Sequence, residues 1–125
     1  METLNIPATE DTPEVILDAS GKFLFSGKSL PEDVTSFYDP IIDWIEVYGQ
    51  NPLKASIFKF KFTYFNHESS KIILDILMKL EFLSESGEDI KVEWHYEEED
   101  EEMEEAGEEY SYIVEVPFEM IAYED

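Results

Sequence analysis

Two stretches of the chain alternate between apolar and polar residues with the two-residue period of a half-buried β-strand. They are "ASIFKFKFTYF" (residues 55–65) and "DIKVEWHYE" (residues 89–97). Successive side chains of a strand point to opposite faces, so each stretch predicts one buried and one solvated face. The predicted buried set is Phe58, Phe60, Phe62, Tyr64, Ile90, Val92, Trp94 and Tyr96, and the solvated set is Lys59, Lys61, Thr63, Lys91, Glu93 and His95.

Two other stretches place apolar residues three and four positions apart, which is the period of a helix with one buried face. "SSKIILDILMKLEFLSESG" predicts a helix over Ser69–Leu83 that stops at Gly87. An earlier helix is predicted to start at Pro31, to be broken or kinked near Pro40, and to end at Gly49.

The alternation in both strands predicts which faces of the sheet are covered. Parallel strands with helices on both faces read as continuous apolar runs, whereas these strands alternate. The strand–helix–strand order implies a right-handed crossover between parallel strands. An antiparallel pair around Ser20–Gly21 and an edge strand at Phe118–Tyr123 complete the prediction. The expected fold class is therefore α/β: a one-sided sandwich with a mixed sheet and helices mainly on one face.

The segment from Glu97 to Glu109 contains ten acidic residues among thirteen. Such a run is typical of disorder. However, Met103, Ala106, Tyr110 and Ile113 recur at helical spacing. This favours a helix with an acidic outer face, and a glycine within it, Gly107, would be its weak point.

Composition and charge restrict the function classes. The 125 residues predict one domain, 1–125, and a hydrophobic content of 43% is enough for a packed core. The net charge of −23 disfavours nucleic acid and anionic membranes as partners, and it favours a basic protein or simply high solubility. The chain has no cysteine, signal-peptide pattern or 18-residue apolar run, so we expect a cytoplasmic location without membrane insertion.

Sequence motifs for catalysis or cofactor binding are missing. The five glycines are scattered and no zinc-protease signature occurs, so we expect no cofactor, no metal site and no catalytic residue. A Ser69–His67–Asp75 set lacks the nucleophile elbow of a hydrolase. Two alternatives of another class remain: a small enzyme that uses His67 with a nearby carboxylate, and an acidic mimic of nucleic acid.

The stretch "YFNHESSK" (residues 64–71) joins the first of these strands to the second helix. Structurally, Ser69 or Ser70 would cap the helix. Functionally, the free N–H groups and dipole of a helix N-terminus also favour an added phosphate, and a serine here would be exposed and easily switched.

Seven short motifs, in their order and spacing, carry a resemblance that runs nearly from end to end. The chain resembles the SiaC family of bacterial regulatory phosphoproteins. The motifs are "TPEV" (12–15), "GKSLPE" (27–32), "FYDPIIDWIEVY" (37–48), "YFN" (64–66), "SSKIILDIL" (69–77), "WHYEEED" (94–100) and "VPFEMI" (116–121).

The resemblance implies a fold and a function. It implies a relative of STAS domains and anti-sigma-factor antagonists, which are small α/β switches without catalysis of their own. A kinase would phosphorylate the protein, a PP2C-type phosphatase would remove the phosphate, and the unmodified form would bind a downstream partner. A diguanylate cyclase would be such a partner, which links the family to cyclic-di-GMP signalling and biofilm formation.

The sequence departs from the family pattern at the modified position. In the family a threonine acceptor follows the motif's asparagine, whereas here His67 and Glu68 follow Asn66. Three outcomes follow: Ser69 or Ser70 accepts the phosphate, His67 accepts it, or Glu68 imitates the modified state permanently and the switch is lost. A constitutive binding module that is never phosphorylated is a further alternative. We favour a serine. The predicted partner-binding residues are Tyr64, Asn66, His67, Glu68, Ser69, Ser70 and Lys71.

Overall fold

The computed structural model describes residues 2–52 and 54–124. Within these residues it contains six strands and three helices. The strands are β1 (Leu4–Ile6), β2 (Glu14–Asp18), β3 (Lys22–Ser29), β4 (Ser56–Phe65), β5 (Ile90–Glu97) and β6 (Phe118–Tyr123); the helices are α1 (Val34–Tyr48), α2 (His67–Glu85) and α3 (Glu101–Ile113).

The six strands form one mixed sheet in sequential order, from β1 at one edge to β6 at the other. The first three strands pair antiparallel, and β3 to β6 pair parallel. The predicted hairpin, the parallel β4–β5 pair and the edge strand at Phe118–Tyr123 are therefore confirmed. The likeness to STAS domains and the assignment of residues 1–125 to one domain stay predictions.

The helices cover one face of the sheet, and their buried residues join the inward strand residues in one core cluster. Lys59 and Lys61 are exposed on the other face, as predicted. The core is aromatic: the rings of Phe25 and Phe60 stack at 4.9 Å, and Phe60 stacks on Trp94 at 6.0 Å. Burying a side chain such as Phe contributes about 1.5–3 kcal/mol, so this row of rings is a large part of what holds the helices to the sheet.

On the open face, the Glu93 carboxylate lies close to residues of its own strand. Lys59 is the register partner of Glu93. The Glu93 carboxylate instead lies 3.8 Å from the Lys91 ammonium and 3.1 Å from His95 Nε2. The Lys61 ammonium lies 4.5 Å from the ring centroid of Tyr123.

Helix α1 starts later than predicted and is not broken. Asp33 caps it by accepting a hydrogen bond from the Ser36 backbone N–H at 3.1 Å, so Pro31 lies before the helix and the predicted start is wrong. The predicted break near Pro40 is also wrong, because α1 continues through Pro40 to Tyr48, whereas a kink at this position stays a prediction. The buried residues on both sides of Pro40 keep the helix on the sheet: Tyr38, Ile41, Ile45 and Tyr48.

The acidic segment contains the helix α3, as predicted, but its packing differs from the prediction. Met103 and Tyr110 are buried, whereas Ile113 is 56% exposed and its inward assignment is wrong. Gly107 is buried, and a Cβ atom there would lie 2.4 Å from Cδ1 of the Trp94 ring. Gly107 is thus a close-packing position between α3 and β5, and the helix is continuous across it.

A β-bulge changes the orientation of side chains where β4 ends. The register between β3 and β4 shifts so that Thr63 is an extra residue on β4. Tyr64 is consequently 50% exposed, and its predicted place on the buried face is wrong. Phe65 takes that place and contacts the rings of Phe62 and Trp94 at 5.8 and 6.2 Å. The bulge therefore points Tyr64 to solvent immediately before the candidate site.

Candidate functional site

Helix α2 begins directly after β4, and Asn66 fixes its start. The Asn66 backbone N–H donates to the carbonyl oxygen of Ser29 at the end of β3, at 3.0 Å. The Asn66 side-chain oxygen accepts from the Ser69 backbone N–H at 2.9 Å. Asn66 is the N-cap residue, so the prediction that Ser69 or Ser70 caps the helix is wrong. Asn serves this role because it has a short side-chain acceptor and takes up the extended backbone conformation that an N-cap needs.

Three buried hydroxyl groups lie beneath the first turn of α2. The Ser29 hydroxyl donates to Ser69 Oγ at 2.9 Å and lies 2.6 Å from the Tyr38 hydroxyl. All three residues are 0% exposed. Burial raises the pKa of Tyr38 to about 12, so its hydroxyl stays protonated near neutral pH. The expected exposure of a junction serine is therefore wrong for Ser69.

Ser70 lies at the surface edge of the same turn. It is half-buried, and its hydroxyl donates to the carbonyl oxygen of His67 at 2.6 Å. The carbonyl of Ser70 accepts from the Tyr110 hydroxyl at 2.7 Å. Ser70 also lines a cleft of about 220 Å³ between α2 and α3, together with Lys71 and Glu109. Burial, which is the largest cause, and the nearby carboxylate of Glu109 raise the pKa of Tyr110 above its usual value.

The other predicted site residues form the outer surface of the junction. Tyr64, His67, Glu68 and Lys71 are exposed. Glu68 is the acidic residue in the first turn of α2, where the positive end of the helix dipole stabilises it. The structure therefore divides the predicted set into residues that are exposed to solvent and a buried residue, Ser69, that fixes the shape of the junction.

The Ser69–His67–Asp75 set is not assembled as a catalytic triad. The Ser69 hydroxyl bonds to Ser29 in the core, whereas His67 is exposed. Asp75 lines a groove between α1 and α2. Within the part of the chain that the structure describes, no cluster of three or more His, Asp and Glu side chains is arranged to hold a metal ion. None of the described helices combines the length and the apolar character needed to cross a membrane.

Sequence reasoning missed three residues of the site. Ser29 and Tyr38 complete the buried hydroxyl cluster, and Tyr110 joins α3 to the first turn of α2. Tyr38 precedes Ile41 by three residues and so continues the apolar stripe of α1, which is a signal that predicts its burial. Ser29 gave no comparable signal, because only the sheet register brings it to Asn66.

The structure is that of a small α/β protein in which the first turn of α2 packs on the buried hydroxyl groups of Ser29, Tyr38 and Ser69. The family model for "SiaC family regulatory phosphoprotein" matches residues 6–123. The chain therefore belongs to the SiaC family, as its motifs indicated.

Particular relatives agree with this assignment. The uncharacterized protein PA14_02130 of Pseudomonas aeruginosa (strain UCBPP-PA14) is 32% identical over 129 residues, which cover 100% of each chain. The crystal structure of apo-SiaC from Pseudomonas aeruginosa is 29% identical with a TM-score of 0.91, and the match covers 98% of this chain and 100% of that one. A third match is SiaC in the crystal structure of the Pseudomonas aeruginosa diguanylate cyclase SiaD in complex with its activator SiaC. It is 30% identical with a TM-score of 0.91, and the match covers 96% of this chain and 99% of that one.

Proposed function

We propose that this protein is a non-catalytic regulator that binds a diguanylate cyclase and is controlled by reversible phosphorylation at the junction Asn66–Ser70. The observation that carries the proposal is the likeness, over 96% of the chain, to SiaC solved with the cyclase that it activates. A kinase and a PP2C-type phosphatase would act on the junction, and a cytoplasmic location is part of the proposal. The two alternatives, an enzyme that uses His67 and an acidic mimic of nucleic acid, have no such support.

Accessibility favours Ser70 over Ser69 as the acceptor. Phosphoryl transfer requires the hydroxyl oxygen to meet the transferred group in line. Ser69 Oγ is 0% exposed and bonded to Ser29, so a kinase reaches it only after the first turn of α2 has opened. Ser70 Oγ lies at the cleft and gives up only its bond to the His67 carbonyl.

A phosphate on Ser70 would change the surface that a partner meets. It adds about two negative charges at neutral pH. Glu109 lines the same cleft and would repel these charges, whereas Lys71 would attract them. Because Tyr110 of α3 is bonded to the Ser70 carbonyl, the charge is placed where it loosens the contact between α2 and α3 as well as altering the exposed junction.

Labelling by the cognate kinase, supplied from the same genome, tests the acceptor. We expect an acid-stable phosphate that is lost in Ser70→Ala and retained in Ser69→Ala. Ser111→Ala is the matched control, because the Ser111 hydroxyl also donates to a helix carbonyl, that of Glu108, at 2.6 Å. Acid-labile labelling that survives both serine substitutions would identify His67 as the acceptor, and no labelling at all would favour Glu68 as a fixed mimic of the modified state.

A binding experiment tests the rest of the proposal. Isothermal titration with the diguanylate cyclase from the same genome should show tight binding of the unmodified protein and weaker binding of the phosphorylated protein. A partner that meets an uncompensated charge in a desolvated contact loses about 1–3 kcal/mol. Equal affinity of both forms would refute control by phosphorylation, and failure of the unmodified protein to bind would refute the cyclase as its partner.

A further inference from the structure

A groove with an apolar floor runs between α1 and α2 on the side of the helices that faces away from the sheet. It has a volume of about 560 Å³, and its floor includes Ile42, Ile45 and Leu83. Met78 and Phe82 line one wall, and they are 49% and 69% exposed. Neither residue belongs to the core cluster or to the side chains packed against it. Folding therefore does not require these two large apolar side chains at these positions.

The rim of the groove is acidic. The cation that lines it, Lys79, is paired with Glu46. Asp75 also lines the groove and has no ion-pair partner among residues 2–52 and 54–124. Asp39 and Asp43 are exposed on neighbouring turns of α1. An occupant of the groove would thus meet an apolar floor bordered by negative charge.

The distribution of charge over the whole molecule also favours a cationic occupant of the groove. Strand alternation places equal numbers of lysines and acids on the open sheet face, so the excess of 23 negative charges lies on the rest of the molecule, including the helices. These open-face residues are Lys22, Lys28, Lys59, Lys61 and Lys91, with Glu14, Asp18, Glu93, Glu97 and Glu119. A cationic partner is therefore attracted to the molecule outside the open sheet face, which includes α1 and α2.

We propose that this groove is the docking surface for an amphipathic helix of a partner protein, with lysine or arginine beside its apolar stripe. The walls are helices whose backbone groups bond within the helices, so the groove offers no backbone donors or acceptors to an extended strand. A helix satisfies its own backbone groups and needs only to bury its stripe, as in other helix-in-groove complexes. A second copy of this chain carries the same charge of −23 and would be repelled.

Two synthetic peptides of equal composition provide the probe. One has about 18 residues, or about 27 Å of helix, with leucines at positions i, i+3, i+4 and i+7 and flanking lysines. The other is a scramble with the same charge and no apolar face. Dissociation constants are measured with the full chain by fluorescence anisotropy at physiological salt, and the site is mapped by amide chemical shifts of the isotope-labelled protein.

The double variant Met78→Ser/Phe82→Ser tests the wall of the groove, and Tyr112→Ser is its matched control. Tyr112 is an aromatic residue on α3 that is 84% exposed, so its truncation removes a comparable exposed surface elsewhere. Because none of these side chains belongs to the core cluster, the fold should survive, and unchanged amide shifts away from the substitutions verify this.

We expect the amphipathic peptide to bind the wild type and Tyr112→Ser equally and to shift amides near Ile42 and Leu83. Loss of buried apolar anchors should weaken its binding to the double variant by about tenfold or more. The scrambled peptide should bind at least tenfold more weakly than the amphipathic one. Equal binding of the two peptides, an unaffected double variant, or no binding of the amphipathic peptide would each overturn the inference. None of these outcomes depends on whether the natural partner is a cyclase.

Discussion

Replacement of Gly107 by alanine is the sharpest test of how α3 is held on the sheet. If Gly107 were only a weak point in an exposed acidic helix, alanine would stabilise the protein by about 0.8–1.0 kcal/mol through its higher helix propensity. The structure predicts instead that alanine destabilises the protein. The added Cβ would lie 2.4 Å from Cδ1 and 2.6 Å from Nε1 of Trp94, and 2.7 Å from Cε of Met120.

The expected loss of stability follows from the displacement of the Trp94 ring by the added methyl group. Trp94 is 0% exposed, and its indole N–H donates to the Met103 carbonyl at 3.1 Å. Overpacking of a filled core costs about 1–3 kcal/mol. A shift of the ring that breaks the indole hydrogen bond adds about 1–3 kcal/mol for the unsatisfied groups. After the gain in helix propensity is subtracted, we expect Gly107→Ala to lower the free energy of unfolding by about 1–5 kcal/mol.

Urea unfolding followed by far-ultraviolet circular dichroism measures this free energy without relying on tryptophan fluorescence. The control is the same substitution in a Trp94→Phe background, where the smaller ring leaves room for the methyl group. In this double-mutant cycle the cost of Gly107→Ala should fall by about 1 kcal/mol or more, which is the size of couplings between contacting residues. An increase in stability of the single variant, or equal costs in both backgrounds, would refute the packing argument.

Three further predictions concern the helix start, the buried tyrosines and the net charge. Asn66→Ala should lower the free energy of unfolding by about 1 kcal/mol in urea titrations, because the α2 cap is lost; no change would contradict the cap assignment. Because the pKa of Tyr38 is raised to about 12 and that of Tyr110 is also raised, the unfolded chain ionises first. The contribution of these tyrosines to stability should therefore be fully present below about pH 10 and be lost as pH rises towards 12, and Tyr38→Phe should make that fall shallower. Moderate salt should raise the melting temperature near neutral pH by screening the charge of −23, and a flat or lower melting temperature would count against this.

Part of the candidate site could be predicted from the sequence. The residues of the junction are contiguous, so the chain itself places Tyr64, Asn66 and Ser70 together, and the change from a two-residue to a helical period marks where strand ends and helix begins. The sequence did not reveal that Ser69 faces the core while Ser70 faces the cleft. That difference depends on which turn of α2 rests on the end of β3, and Ser29 lies 40 residues from Ser69.

Periodicity alone determined the larger features of the fold. Alternation in β4 and β5 specified one solvated face, because a register shift of one residue would bury every lysine of these two strands. The strand–helix–strand order specified the parallel pairing of β4 and β5. Tertiary contacts decided the features that local rules misjudged. Packing on the sheet carries α1 through Pro40, the bulge at Thr63 turns Tyr64 outward, and the Trp94 ring makes Gly107 a close-packing position. The physical reason is that propensities amount to about 1 kcal/mol per residue, or about 3 kcal/mol for a proline inside a helix, whereas each buried large side chain contributes about 1.5–3 kcal/mol. Several buried side chains, such as the four of α1, therefore outweigh one unfavourable residue.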